Sequence, residues 1–146
     1  FYNGSVSLNE PNPISHLEFI NNPSCYSYND GNVNLIINGG TPPYSENWNG
    51  NNPNALCAGT YNCTITDGNG CPTNQTINIL EPTILSGQIL QNTNDLNVLA
   101  NGGTPPHSYL WNTNETTATI TPTHNGTFWL IITDNNGCIS GRHFDE

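Results

Sequence analysis

Residues 38–48 read NGGTPPYSENW and residues 101–111 read NGGTPPHSYLW, a match long enough to mark an internal repeat. A second pair keeps the same order, AGTYNCTITDGNGC at 58–71 and NGTFWLIITDNNGC at 125–138. The offset grows from 63 to 67 residues between the pairs, which places a four-residue loop insertion in the second copy. Two domains of one fold are therefore expected, with a boundary near Glu81-Pro82. We assign residues 1–18 to an N-terminal strand and linker, 19–82 to repeat 1 and 83–146 to repeat 2.

Within each copy the pattern is that of strands. Val33, Leu35 and Ile37, and in the second copy Leu96, Val98 and Ala100, alternate with more polar residues, so one face of each strand points to a core. The Gly-Gly-Thr-Pro-Pro stretch breaks that strand, because proline cannot donate to a ladder and glycine accepts unusual backbone angles; a corner between sheets is expected there. Trp48 and Trp111 follow, placed like the core tryptophan of an immunoglobulin-type sandwich. Tyr61, Cys63 and Ile65 (Phe128, Leu130 and Ile132 in the second copy) form the next inward face. Asp67-Gly68-Asn69-Gly70 and Asp134-Asn135-Asn136-Gly137 supply hairpin turns. The fold class is thus all-β, as two tandem immunoglobulin-like β-sandwich domains.

Composition agrees and excludes several functions. Hydrophobic residues reach 34% and charged residues only 8%, and the dominant Asn, Thr, Gly and Pro favour turns and strands over helices. One basic residue, Arg142, stands against eleven acidic ones, for a net charge of -10; such a chain repels nucleic acid and anionic membranes. No apolar run approaches the roughly 20 residues of a membrane helix, so no membrane insertion is expected. The first residues, Phe1 to Gly4, lack the basic-then-apolar pattern of a secretory signal.

The sequence GGTPPYS, a Trp, AGTY, TITDGNGC and a closing ILEP, in that order, resembles the SprB-type repeats of gliding-motility adhesins from Bacteroidota, over roughly residues 21–138. The resemblance implies a secreted, extracellular or cell-surface protein with an adhesive or fibrous role. It implies no particular ligand.

Repeat 1 closes on an alternating strand, Gln75 to Leu80, that ends in Glu81-Pro82. The start of the chain reads the same way: Val6 aligns with Ile77, Leu8 with Ile79, and Glu10-Pro11 with Glu81-Pro82. Repeat 2, by contrast, ends on Ile139 to Glu146 without an alternating strand or a Glu-Pro terminator. The N-terminus therefore reads as a donor strand, with Val6 and Leu8 as its buried contacts, that completes repeat 2 of a neighbouring subunit. A heterologous contact of this kind propagates into a homo-polymer.

Five cysteines suit a secreted protein. Cys25 with Cys71 and Cys57 with Cys63 are the expected bridges, the second requiring a turn at Ala58-Gly59-Thr60; Cys138 is left free, buried or intermolecular. Asn3, Asn62, Asn74, Asn114 and Asn125 head Asn-x-Ser/Thr acceptors, and covalent glycans there would keep a weakly charged fibre soluble. Trp129 and Ile131 occupy the outward phase of their strand, where repeat 1 has Asn62 and Thr64, and mark an apolar interface.

Chemistry is poorly represented. A nucleophile elbow, a Walker loop, HExxH and GxGxxG are absent, the histidines share no register, and Asp67 and Asp134 lack the acidic neighbours of a calcium loop. No enzyme, metal or cofactor is expected. The leading expectation is a structural subunit of an extracellular filament; the alternative is a carbohydrate-binding or adhesin module, in which Tyr26, Tyr28, Tyr44 and Trp129 stack on sugars.

Overall fold

The computed structural model describes residues 10–145; Asn3, Val6 and Leu8 lie outside the described residues. These residues hold strands and no helix: β1 (Ser15–Asn21), β2 (Asn32–Asn38), β3 (Ser45–Asn47), β4 (Gly59–Thr66), β5 (Pro72–Ile79), β6 (Ser86–Asn92), β7 (Asp95–Asn101), β8 (Ser108–Trp111), β9 (Thr119–Ile120), β10 (Thr127–Thr133) and β11 (Ile139–Asp145). In the first half β1 pairs with β2, and β3, β4 and β5 form a second sheet; in the second half the sheets run β6-β7-β9 and β8-β10-β11. All pairings are antiparallel.

Each half encloses its own core between its two sheets. Val33, Leu35, Trp48, Leu56, Cys63, Ile65, Ile77 and Ile79 pack together in the first. Leu85, Leu96, Val98, Trp111, Ile120, Phe128, Leu130 and Ile132 pack in the second. The period-2 alternation of β2, β4, β7 and β10 puts Val33, Leu35, Cys63, Ile65, Leu96, Val98, Phe128, Leu130 and Ile132 on the inward faces, and each fully buried aliphatic contributes about 1.5–3 kcal/mol.

Two boundaries differ from those read in the sequence. Strand β1 begins at Ser15 and pairs with β2 along its whole length, inside the stretch read as linker. Its outward residues Leu17 and Phe19 are apolar yet exposed, so the alternation that would have revealed it is inverted. At the other end, repeat 2 does not lack its last strand: β11 pairs with β10 from Thr133↔Ile139 to Thr127↔Asp145. Ile139 is exposed and Ser140 and Gly141 carry no apolar side chain, so the ladder to β10 is what marks this strand. The edge of β10 on which a donated N-terminal strand would sit is therefore occupied.

The corner and the hairpin of each half are tied together by one aspartate. Asp67 accepts hydrogen bonds from the backbone N–H of Thr41 (3.0 Å), Asn69 (3.0 Å) and Cys71 (2.9 Å). Asp134 accepts the same three from Thr104 (2.7 Å), Asn136 (2.9 Å) and Cys138 (2.9 Å). Both carboxylates are buried. The paired glycines make the approach possible: Gly40 and Gly103 have φ of +57° and +62°, and a Cβ on Gly103 would come within 2.8 Å of Asp134 Oδ2. Beyond the corner, Tyr44 donates its hydroxyl to the Gly39 carbonyl at 2.5 Å, and His107 Nε2 lies 2.9 Å from that of Gly102.

The backbone N–H of Cys71 is the main cause that lowers the Asp67 carboxyl from its usual range, with help from Thr41 and Asn69 against the opposing effect of burial. At Asp134 burial acts first and upward, but the bonds from Thr104, Cys138 and Asn136 and the nearby His107 outweigh it and the carboxyl is again lowered. A depressed folded-state pKa gives stability that is complete above the unfolded value, about 4, and is lost as pH falls through the folded value. Urea midpoints measured from pH 7 down to pH 2 are expected to hold above about pH 4 and fall below it. Asp134→Asn is expected to cost about 2 kcal/mol at pH 7, the scale of a lost charge-assisted hydrogen bond, and to flatten the acid limb; unchanged midpoints and an unchanged limb would contradict the anchoring role.

Candidate functional site

The two halves differ most in the connection between their first two strands. In the second half β6 and β7 are joined by Thr93-Asn94, whereas in the first half residues 22–31 intervene between β1 and β2. The longer loop is held by Asp30, whose carboxylate accepts the Ser24 N–H at 3.0 Å and the Ser24 hydroxyl at 2.5 Å. Those bonds, the hydroxyl first, lower the Asp30 carboxyl. Pro23 and Cys25 are buried beneath it.

The tip of this loop meets the second half. Cys25 and Cys138 form a disulfide across 113 residues of sequence, with Cα atoms 5.7 Å apart. Asn136 donates from Nδ2 to the Ser24 carbonyl at 2.9 Å. Glu81, in the connection between the halves, accepts the Ser27 N–H at 2.6 Å, and the Leu80 N–H donates to Asn22 Oδ1 at 3.1 Å. Pro23, Ser24, Glu81, Thr104 and Asn136 border a cleft of about 590 Å³ at the junction. Tyr26 and Tyr28 line a smaller one of about 180 Å³ with Ile84, Cys138 and Ile139. The arrangement is a clasp: one covalent bond and three hydrogen bonds fix the loop of one sandwich to the hairpin and linker of the next.

The expected bridges are thereby corrected. Cys25 does not pair with Cys71, because Cys71 lies beside Pro11 to Ile14 at the start of β1 while Cys25 follows its end, a strand of seven residues or about 20 Å away. Cys57 and Cys63 are both free. The turn their bridge needed does not form, since Gly59 and Thr60 already pair with Ile79 and Asn78. Cys63 instead faces the core, and burial, reinforced by the charge of Glu46, raises its thiol. Cys138, left open by the sequence, is the partner of Cys25.

The remaining candidate residues do not converge on the clasp. Trp129 is 43% exposed and Leu110 46%, and Ile131 lies opposite Leu110 in the ladder. The matching face of the first half is polar, where Thr64 and Thr76 donate to Asn74 and Asn62 at 2.8 and 2.9 Å. Asn62, Asn74, Asn114 and Asn125 are all exposed. Tyr26 and Tyr28 share the junction, but Tyr44 belongs to the corner of the first half and Trp129 to β10. Among the described residues no three His, Cys, Asp or Glu side chains gather around a common point.

The loop, β2, the Gly-Gly-Thr-Pro-Pro corner and Trp48 form one continuous stretch. Residues 17–53 match the SprB repeat. No curated protein matches the chain. The SprB-matched stretch contains Ser24, Cys25 and Ser27, so the first-half side of the clasp lies inside it. On its second-half side, Asn136 was legible only as a turn residue and Cys138 only as a cysteine without an assigned partner. One signal pointed further: the hairpin cysteine recurs at 71 and 138, whereas Cys25 sits in a loop that the second copy lacks.

The clasp is expected to couple the two cores. Thermal unfolding of the oxidised chain should give one transition, and Cys138→Ser should split it in two, with the first lowered by the order of 3–5 kcal/mol that a long closed loop supplies. Two transitions in both proteins would show that the bridge does not couple them.

Proposed function

We propose that this chain is a load-bearing spacer within an extracellular adhesin-type surface protein. SprB repeats occur in surface-exposed proteins, residues 17–53 match one, and a disulfide suits an oxidising extracellular compartment. The match speaks for a structural repeat rather than an enzyme. The observation that carries the reading is the position of the bridge. Cys25 precedes β2 to β5 and Cys138 follows β6 to β10, so tension applied at the ends passes through the S–S bond and bypasses the segment between them.

Polymerisation by strand donation is the weaker form of this reading, because β11 already covers β10. Sugar stacking is weaker too, since its four aromatics are spread over three places. Glycans on the exposed Asn62, Asn74, Asn114 and Asn125 fit a spacer that has one basic residue and few charges, and their role is solubility rather than recognition.

Single-molecule stretching from the two ends tests the reading. The oxidised chain should release only the residues outside the bridge, and a reductant should then free a 113-residue segment, about 400 Å of contour at ~3.5 Å per residue. Equal extension with and without reductant would overturn it.

A further inference from the structure

The face by which the second half receives the clasp is present on the first half as well. In the second half it consists of the lead-in Glu81-Pro82-Thr83-Ile84, the corner Gly102-Gly103, the Asp134 anchor, and Asn136 with Cys138. The first half has Glu10-Pro11-Asn12-Pro13, Gly39-Gly40, Asp67, and Asn69 with Cys71 in the same places. The agreement extends to atoms. Gly40 N–H donates to the Asn12 carbonyl at 2.7 Å, as Gly103 N–H does to that of Thr83 at 2.8 Å. A Cβ on Gly39 would meet Pro13 O at 2.1 Å, and one on Gly102 would meet Ile84 O at the same 2.1 Å. Asn69 Nδ2 donates to Thr41 Oγ1 at 3.0 Å and Asn136 Nδ2 to Thr104 Oγ1 at 3.1 Å.

What differs is engagement. Cys138 is bonded, Asn136 also reaches the Ser24 carbonyl, and Glu81 accepts the Ser27 N–H. Cys71 is exposed and unbridged, and it borders a cavity of about 250 Å³ with Glu10, Pro11, Ile14 and Asp67. Cys57, the other exposed free thiol, does not border that cavity and has no counterpart in the clasp.

We infer that Cys71, Glu10 and Asn69 form a receiving face for another sandwich unit, one that precedes residue 10 and carries a cysteine loop of the kind seen at residues 22–31. Glu10 accepts a loop N–H, Asn69 donates to a loop carbonyl, and the loop cysteine bonds to Cys71. The oxidation is two thiols to one disulfide; the two electrons and two protons go to an oxidised dithiol of the compartment, which is reduced to its dithiol form. The occupant is a sandwich unit because the second half shows the same residues engaged by one. This deepens the spacer reading and rests on it: the chain becomes one segment of an array in which each unit clasps the next.

The test is an extended chain in which residues 11–81 are repeated ahead of Pro11, so that the added Glu81 leads into Pro11 as the native one leads into Pro82. After oxidation, cysteine mapping should find the added Cys25 joined to Cys71 of the following unit, the original Cys25–Cys138 bridge intact, and Cys71 of the added unit free. A folded extended chain whose receiving Cys71 remains a free thiol would overturn the inference. The intact chain gives an independent measurement that needs no new domain. A peptide of the sequence of residues 22–31, its cysteine activated as a 2-thiopyridyl disulfide, should exchange onto Cys71 about 10-fold faster than glutathione activated in the same way. That preference should vanish in Asn69→Ala and should not occur at Cys57. Equal rates for the two reagents at Cys71 would overturn the inference. Free stretching of the oxidised protein, combined with the predicted Cys71 bridge, would remove the spacer role and leave the docking face standing.

Discussion

Three backbone N–H groups converging on a buried carboxylate hold each half of this protein in shape. Asp134 joins the corner at Thr104 to the hairpin at Asn136 and Cys138, beside the backbone bond from the Asn135 N–H to the Thr104 carbonyl at 2.8 Å, and gives an acceptor to three donors that those segments would otherwise leave unpaired. A buried donor without an acceptor is costly, so a single carboxylate that satisfies three of them fixes both segments at once. The glycine pair is the complementary constraint, because a side chain there would collide with the lead-in backbone and crowd the carboxylate.

The clasp depends on that anchor. Cys138 lies at the end of the hairpin that Asp134 holds, and the disulfide forms because the anchored hairpin presents its sulfur to the loop at Cys25. Glu81 and Asn22 then fix the connection between the halves. Conformational entropy sets the sense of the arrangement: a bridge across 113 residues removes more freedom from the unfolded chain than a short one would. The same length makes it a mechanical shortcut across both cores.

Much of this was legible in the sequence, in uneven measure. The inward residues of β2, β4, β7 and β10 follow from alternation, and the corner follows from Gly-Gly-Thr-Pro-Pro, because both signals are local. Strand β1 was missed because Leu17 and Phe19 face solvent, and β11 because ladder pairing leaves no apolar imprint on Ser140 or Gly141. The bridges were misassigned for a different reason. Pairing Cys25 with Cys71 assumed that a domain staples itself, and nothing in spacing alone says that a loop closes on the next domain. Asp67 and Asp134 read as turn formers; their three-donor role depends on a corner about 26 to 30 residues away, which only the folded chain brings near.

The most direct measurement is mass-spectrometric mapping of the native, oxidised chain after alkylation of free thiols and proteolysis without reductant. One cross-linked peptide pair joining Cys25 to Cys138 is expected, with Cys57, Cys63 and Cys71 alkylated. A pair joining Cys25 to Cys71, with Cys138 alkylated, would contradict the clasp.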